Sequence, residues 1–201
     1  MSFRDFTIRK TQDVFQIEIT EMPGIFAGTD ERAISRHLAD TLKENIPLAA
    51  SINTEKARSE LIISPILVEL RKLFSRKISL FSGIELNVDK EKELNGFCDF
   101  IISLSPEQLF LKAPILAIVE AKNENIMGGL GQCIAEMIAS KIFNENEGNA
   151  KNNIYGVITS GNIWKFLKLV DNGVHIDLDD YGIKELGRIM GILSSMVEQR
   201  A

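Results

Sequence analysis

The chain has 201 residues, 45% of them hydrophobic and 25% charged, which suits one domain with a substantial core. Its formal charge of -5 at pH 7 excludes a broadly basic nucleic-acid-binding surface, though not a local one. Two cysteines set in apolar segments, Cys98 and Cys133, exclude a disulfide framework and zinc-finger spacing. A reducing, cytoplasmic setting is therefore expected. The start of the chain carries no hydrophobic signal region and no apolar run approaches the ~20 residues that span a bilayer, so no membrane partner is expected either.

In chain order, the pattern predicts a strand pair at about 5–9 and 13–20, ended by Pro23-Gly24, and then a helix over about 31–44. A longer helix starts near Asn53 or Thr54, either of which can cap it, and buries a stripe of Ile63, Ile66, Leu67, Leu70, Leu73 and Phe74. Pro65 removes a backbone donor and crowds the carbonyl of Leu61, so a kink is expected just after Glu60. Arg71, Lys72, Arg76 and Lys77 cluster where this helix ends; they either complement its dipole in solvent or contact DNA. Strands follow near 78–88, 97–104 and 114–121, then a helix over about 130–144 and a polar, mobile loop from Asn144 to Asn153.

Two more strands are predicted at about 154–159 and 163–170, with Trp164 packing that hairpin against the core. In the segment 174–180, Val174, Ile176 and Leu178 mark a half-buried strand. His175, Asp177 and Asp179 form its polar outer face rather than a metal site. An amphipathic helix over 183–197, with Ile183, Leu186, Met190, Leu193 and Val197 on one face, either covers the core or pairs two copies. The order of elements predicts an α/β fold, a mixed β-sheet flanked by helices. One domain is expected over 1–201, its core at about 53–170, with an N-terminal β-hairpin/helix extension and a C-terminal helix.

Chemistry concentrates in two of these strands. Glu120 and Lys122 share a face at the end of the apolar run Ile115 to Val119, and Asp99 is planted inside the strand before it. Charges there need partners or a metal to offset desolvation. If the two strands form a hairpin in which paired residue numbers sum to 219, Asp99 faces Glu120; at 218 it faces Val119 and the three groups scatter. Glu60 on the long helix, or Glu55 a turn earlier, can add an acid, and Glu85 is a third option. Gly128-Gly129-Leu130-Gly131-Gln132 opens the next helix and places Gln132 in its first turn, for site chemistry or for capping.

Asp99, Glu120 and Lys122 resemble the Asp…Glu-x-Lys signature of the PD-(D/E)xK nuclease superfamily. The run Asn53-Thr54-Glu55-Lys56-Ala57-Arg58-Ser59-Glu60-Leu61-Ile62-Ile63-Ser64-Pro65-Ile66-Leu67 is similar to the helix opening the N-terminal nuclease domain of type I restriction R subunits and related bacterial proteins. Gly156-Val157-Ile158-Thr159-Ser160-Gly161-Asn162-Ile163-Trp164-Lys165-Phe166 is similar to the Thr-x-Gly-x-x-Trp hairpin of the same group. The resemblance implies a restriction-endonuclease-like core and Mg²⁺-dependent DNA phosphodiester hydrolysis, with Mn²⁺ as a substitute ion. It implies Asp99, Glu120 and Glu60 as metal ligands, and Lys122, Glu120, Asp99 and Gln132 as the catalytic set. DNA, a second copy of the chain and a restriction or repair partner are the implied partners. The family often has Tyr four residues after the glutamine; Glu136 stands there instead. The competing reading is a noncatalytic nucleic-acid-binding or assembly module that keeps the fold.

Overall fold

The computed structural model describes residues 2–151 and 153–199. Its strands are β1 (Glu18–Met22), β2 (Ser79–Glu85), β3 (Phe97–Ser103), β4 (Ile115–Ala121), β5 (Asn153–Thr159), β6 (Ile163–Val170), β7 (Gly173–Asp177) and β8 (Tyr181–Gly182). The helices are α1 (Ile8–Phe15), α2 (Arg36–Ile52), α3 (Glu55–Arg58), α4 (Ser64–Leu73), α5 (Leu130–Asn146) and α6 (Leu186–Val197). The strands make one mixed sheet in the order β1-β7-β6-β5-β4-β3-β2, with β8 beside β6. β4 and β5 are parallel and joined through α5, as a parallel pair requires, and β1 lies parallel to β7; the other neighbours are antiparallel. No helix among the described residues is long and apolar enough to cross a membrane.

Both faces of the sheet are covered, which explains why all seven residues of β4 are buried and its sequence reads as one apolar run. On one face Phe100, Val119, Val157 and Phe166 meet Leu38 and Leu42 of α2, Ile66 and Leu70 of α4, and Ile189 and Leu193 of α6. On the other, Ile101, Ile118, Ile158 and Leu167 meet Cys133, Ile134 and Met137 of α5, with Phe3 and Phe6 beside them. Each buried Leu, Ile or Phe contributes roughly 2 kcal/mol. Gly156 lets α5 sit close on β5: a Cβ there would lie 2.5 Å from Met137 Sδ and 2.8 Å from Cys133 Sγ. The C-terminal helix covers this chain's own core, with Met190, Leu193 and Val197 buried as its spacing predicts.

Four local expectations are corrected. Residues 8–15 are helical, so the predicted N-terminal hairpin does not form; Thr7 Oγ1 caps the turn by accepting from Lys10 N at 3.2 Å, and Gln16 leaves it in a left-handed conformation. β1 then pairs with β7 across the chain. Asn144 is no loop residue. It is buried in the last turn of α5, and its side-chain amide closes both hydrogen bonds of Ile115, accepting from its N–H at 2.6 Å and donating to its carbonyl at 2.7 Å. Asp177 is fully buried rather than outward: Oδ1 accepts from the amides of Gly24 and Asp179, and Oδ2 from the Phe26 amide and the Tyr181 hydroxyl. The segment after Pro23-Gly24 folds over it, a tertiary cover that strand alternation does not encode.

The fourth correction concerns Pro65. Instead of a sharp kink, residues Ser59–Ile63 form a π-helical turn between α3 and α4, in which Ser64 N reaches back to Ser59 O. Pro65 supplies no N–H, so the Leu61 carbonyl four residues back has no α-helical donor; Asn45 Nδ2 donates to it at 2.8 Å. At the sheet's edge, Gln108 from the loop before β4 treats β2 in a similar way. Its amide donates to the Leu80 carbonyl at 2.8 Å and accepts from the Leu80 N–H at 3.3 Å.

Candidate active site

β3 and β4 pair in the 219 register: Phe100 faces Val119, Ile101 faces Ile118 and Ile102 faces Ala117. A bulge then shifts the ladder by one, so that Ser103 faces Ile115. Asp99 and Glu120 occupy the next position beyond the last regular pair. There Asp99 Oδ2 accepts from the Ala121 N–H at 2.8 Å, so a side-chain carboxylate, not a backbone carbonyl of β3, satisfies the end of β4.

Glu120 turns toward α5 and is 2% exposed. Lys122 folds back onto it, Nζ to Oε1 at 2.6 Å, and reaches Gln132 Oε1 at 3.1 Å. Gly129 makes room for this lysine, since a Cβ there would lie 2.9 Å from Lys122 Cε. Gln132 in turn donates from Nε2 to Glu136 Oε1, one helical turn on, at 3.0 Å. The four residues form one chain of hydrogen bonds beneath the sheet end. Two of its atoms, Glu120 Oε2 and Glu136 Oε2, are buried and have no partner among the described residues.

The electrostatics follow from this burial. Desolvation, then the neighbouring Asp99 charge, outweigh Lys122 and push the Glu120 carboxyl up to about 7. Glu136, fully buried and next to Glu120, is held well above the usual carboxylate range. Burial alone would lower Lys122, but Glu120, Glu55 and Asp99 together raise it, so the ammonium stays charged. The thiol of Cys133, buried against the same carboxyls, is pushed well up and is inert.

Of the helix acids, Glu55 adds to the charges that raise Glu120 and Lys122. Glu60 makes a 2.8 Å ion pair with Lys56 on the helix surface. Both acids line, with Lys56, Ser59, Ser82, Asp99 and Ala121, a cleft of about 230 Å³ that opens beside Asp99. Glu85 is exposed on edge strand β2, where it accepts from Asn87 Nδ2 at 3.1 Å. No group of three or more His, Cys, Asp and Glu side chains stands ready as a metal cage among the described residues; Mg²⁺ needs only one or two carboxylates, since it keeps several of its waters.

Three features fasten the site, of which sequence reading missed Arg58. Arg58 is buried and fans out to Asn123 Oδ1 (3.0 Å), the Ser160 carbonyl (3.2 Å) and Asn53 Oδ1 (2.9 Å), tying the helix of Glu55 to the segment after Lys122. The Thr-x-Gly-x-x-Trp hairpin is a staple: Thr159 Oγ1 accepts from Gly161 N, and the buried Trp164 donates to the Gly161 carbonyl. Gly161 sits at φ +79°, and a Cβ there would press on Ile62 of the π-helical turn at 3.2 Å. The third is Glu136, which accepts from Gln132 Nε2 within the buried chain of hydrogen bonds. No protein-family model matches the chain and no curated protein matches it.

Proposed function

We propose that the protein is a Mg²⁺-dependent DNA phosphodiesterase of the PD-(D/E)xK kind, with a restriction-endonuclease-like core. The observation that carries this reading is a buried Glu120 whose Oε2 lacks a partner among the described residues, beside a charged Lys122 and beside Asp99, which lines an open cleft. An orphaned, desolvated carboxylate oxygen is costly unless a cation completes it. The donor set is all oxygen and suits Mg²⁺ or Mn²⁺.

Asp99 and Glu120 would hold the ion, with Glu55 and Glu60 at the cleft wall. The ion supplies charge neutralisation for the phosphodiester and acidifies a water at neutral pH. Lys122, kept cationic by its acidic neighbours, positions the attacking water or stabilises charge on the scissile phosphate. Gln132 holds the lysine in place from the opposite side. In the net reaction the water oxygen bonds to phosphorus, one P–O ester bond breaks, and the leaving oxygen takes a proton.

A second reading, a noncatalytic assembly module, draws support from the cleft itself. Three carboxylates line it, and Lys56, its one lining cation among the described residues, is already engaged by Glu60. Calorimetric titration with Mn²⁺ and a nicking assay on supercoiled, linear, single-stranded and branched DNA separate the two. Asp99→Asn should weaken ion binding; Lys122→Ala should leave it intact while cutting the rate on the order of 10²-fold or more. A wild-type protein that binds no divalent ion and cuts none of these substrates supports the module instead.

A further inference from the structure

We infer that Glu136 is a positioning residue, resting on the nuclease reading of Lys122: it fixes the side-chain amide of Gln132 so that the carbonyl oxygen, not the amino group, faces the lysine. A glutamine amide has an acceptor end and a donor end of nearly equal shape, and only its surroundings select between them. Lys122 Nζ has donors only. With Gln132 Oε1 at 3.1 Å it gains an acceptor; with the amide reversed, an NH₂ group would confront an ammonium in a buried setting.

The selection needs an acceptor on the far side. Glu136 Oε1 is that acceptor, 3.0 Å from Gln132 Nε2 and placed beneath it by the four-residue spacing of α5. Nothing else about Glu136 suits its location. It is fully buried beside Cys98 and Cys133, in a layer otherwise built from Ile101, Ile118, Ile134 and Met137, and its Oε2 has no partner. A carboxyl there destabilises the fold relative to an apolar residue of similar volume. A carboxyl at that position makes sense as an orienting device for the glutamine.

Paired variants, one keeping the acceptor and one deleting it, decide the matter. Glu136→Gln keeps a carbonyl acceptor at Oε1; Glu136→Leu removes it and fills the space. In protein with ¹⁵N-labelled glutamine, the Gln132 side-chain NH₂ should stay protected from solvent exchange in Glu136→Gln and lose about tenfold or more of that protection in Glu136→Leu. Cleavage should be rescued to within about threefold in Glu136→Gln and fall on the order of ten- to a hundredfold in Glu136→Leu, with Mn²⁺ affinity unchanged within about twofold. The melting temperature of Glu136→Leu should hold or rise, which separates a lost orientation from a damaged fold. Should Glu136→Leu fail to fold, Glu136→Met makes the same deletion with a more adaptable side chain. Unchanged Gln132 NH₂ protection in the apolar variant overturns the inference, as does a Glu136→Gln variant impaired as deeply as Glu136→Leu. The exchange readout requires no activity, so a protein that cuts no DNA refutes the nuclease reading and leaves this measurement to judge the orientation separately.

Discussion

Removing the charge of Glu120 should lessen the pH dependence of stability in metal-free protein, leaving the part that belongs to Glu136. An ordinary glutamate titrates at 4.5, whereas burial and Asp99 push Glu120 up to about 7. Between these values the folded state binds more protons than the unfolded chain, so stability falls as pH rises through that window. The interval is worth ~3 kcal/mol once pH exceeds about 8, and the residue's near-complete burial leaves little solvent to screen it. Lys122 adds nothing in this window: its raised value keeps the ammonium charged, and its contribution is lost only at alkaline pH. Urea titrations in EDTA at pH 5, 6, 7 and 8 should show the wild-type midpoint declining more steeply than that of Glu120→Gln, which keeps only the decline due to the raised, buried Glu136. The variant should equal wild type near pH 5 and exceed it by roughly 2 to 3 kcal/mol at pH 8. Parallel pH profiles for the two proteins would refute the reasoning, because then no buried, unpaired charge is being forced on the fold at Glu120.

If Mn²⁺ seats on Glu120, binding must expel the proton held at about 7, so calorimetry at pH 7 in buffers of different ionisation enthalpy should report about half a proton released per ion. Asp177→Asn swaps an acceptor that serves four donors for an amide that opposes some of them, and should cost about 3 kcal/mol in a denaturant titration. Gly131→Ala drives a Cβ to within 2.4 Å of the Phe6 carbonyl and should lower the melting temperature by several degrees, about 2 kcal/mol in stability. Gly129→Ala puts a Cβ 2.9 Å from the flexible Lys122 Cε and 3.2 Å from Cγ2 of the buried Ile158, so it should lower the melting temperature less than Gly131→Ala does while depressing cleavage by about tenfold.

The central elements were legible because their patterns are local. The apolar run of β4, the capping Thr54 and the 3.6-residue spacing of the C-terminal helix each specify one structure. Register was narrowed to two choices by parity, and both occur: 219 up to Ile102, 218 at Ser103, because a bulge lies between them. What stayed hidden depends on distant chain. Asp177 reads as outward until residues 24–26 fold over it, and Asn144 reads as loop until Ile115 is placed beside it. The choice of helix acid was undetermined for a different reason. Glu55 and Glu60 are both exposed and both line the cleft beside Asp99, with Glu60 also paired to Lys56.

The side-chain amide of Gln108 bears on how the protein keeps to itself. β2 is the last strand of the sheet, and an open strand margin recruits other chains by offering them a ladder. By occupying both backbone groups of Leu80, Gln108 fills one rung from within the same molecule. The left-handed Gly83, three residues on, interrupts the regularity that an incoming strand would need. One rung of the margin is therefore closed by a loop of 104–114 that is anchored by the buried Ser105 and Ala113 and carries the exposed Leu109 and Phe110. Replacing Gln108 alone would leave those anchors in place and set free a sticky margin.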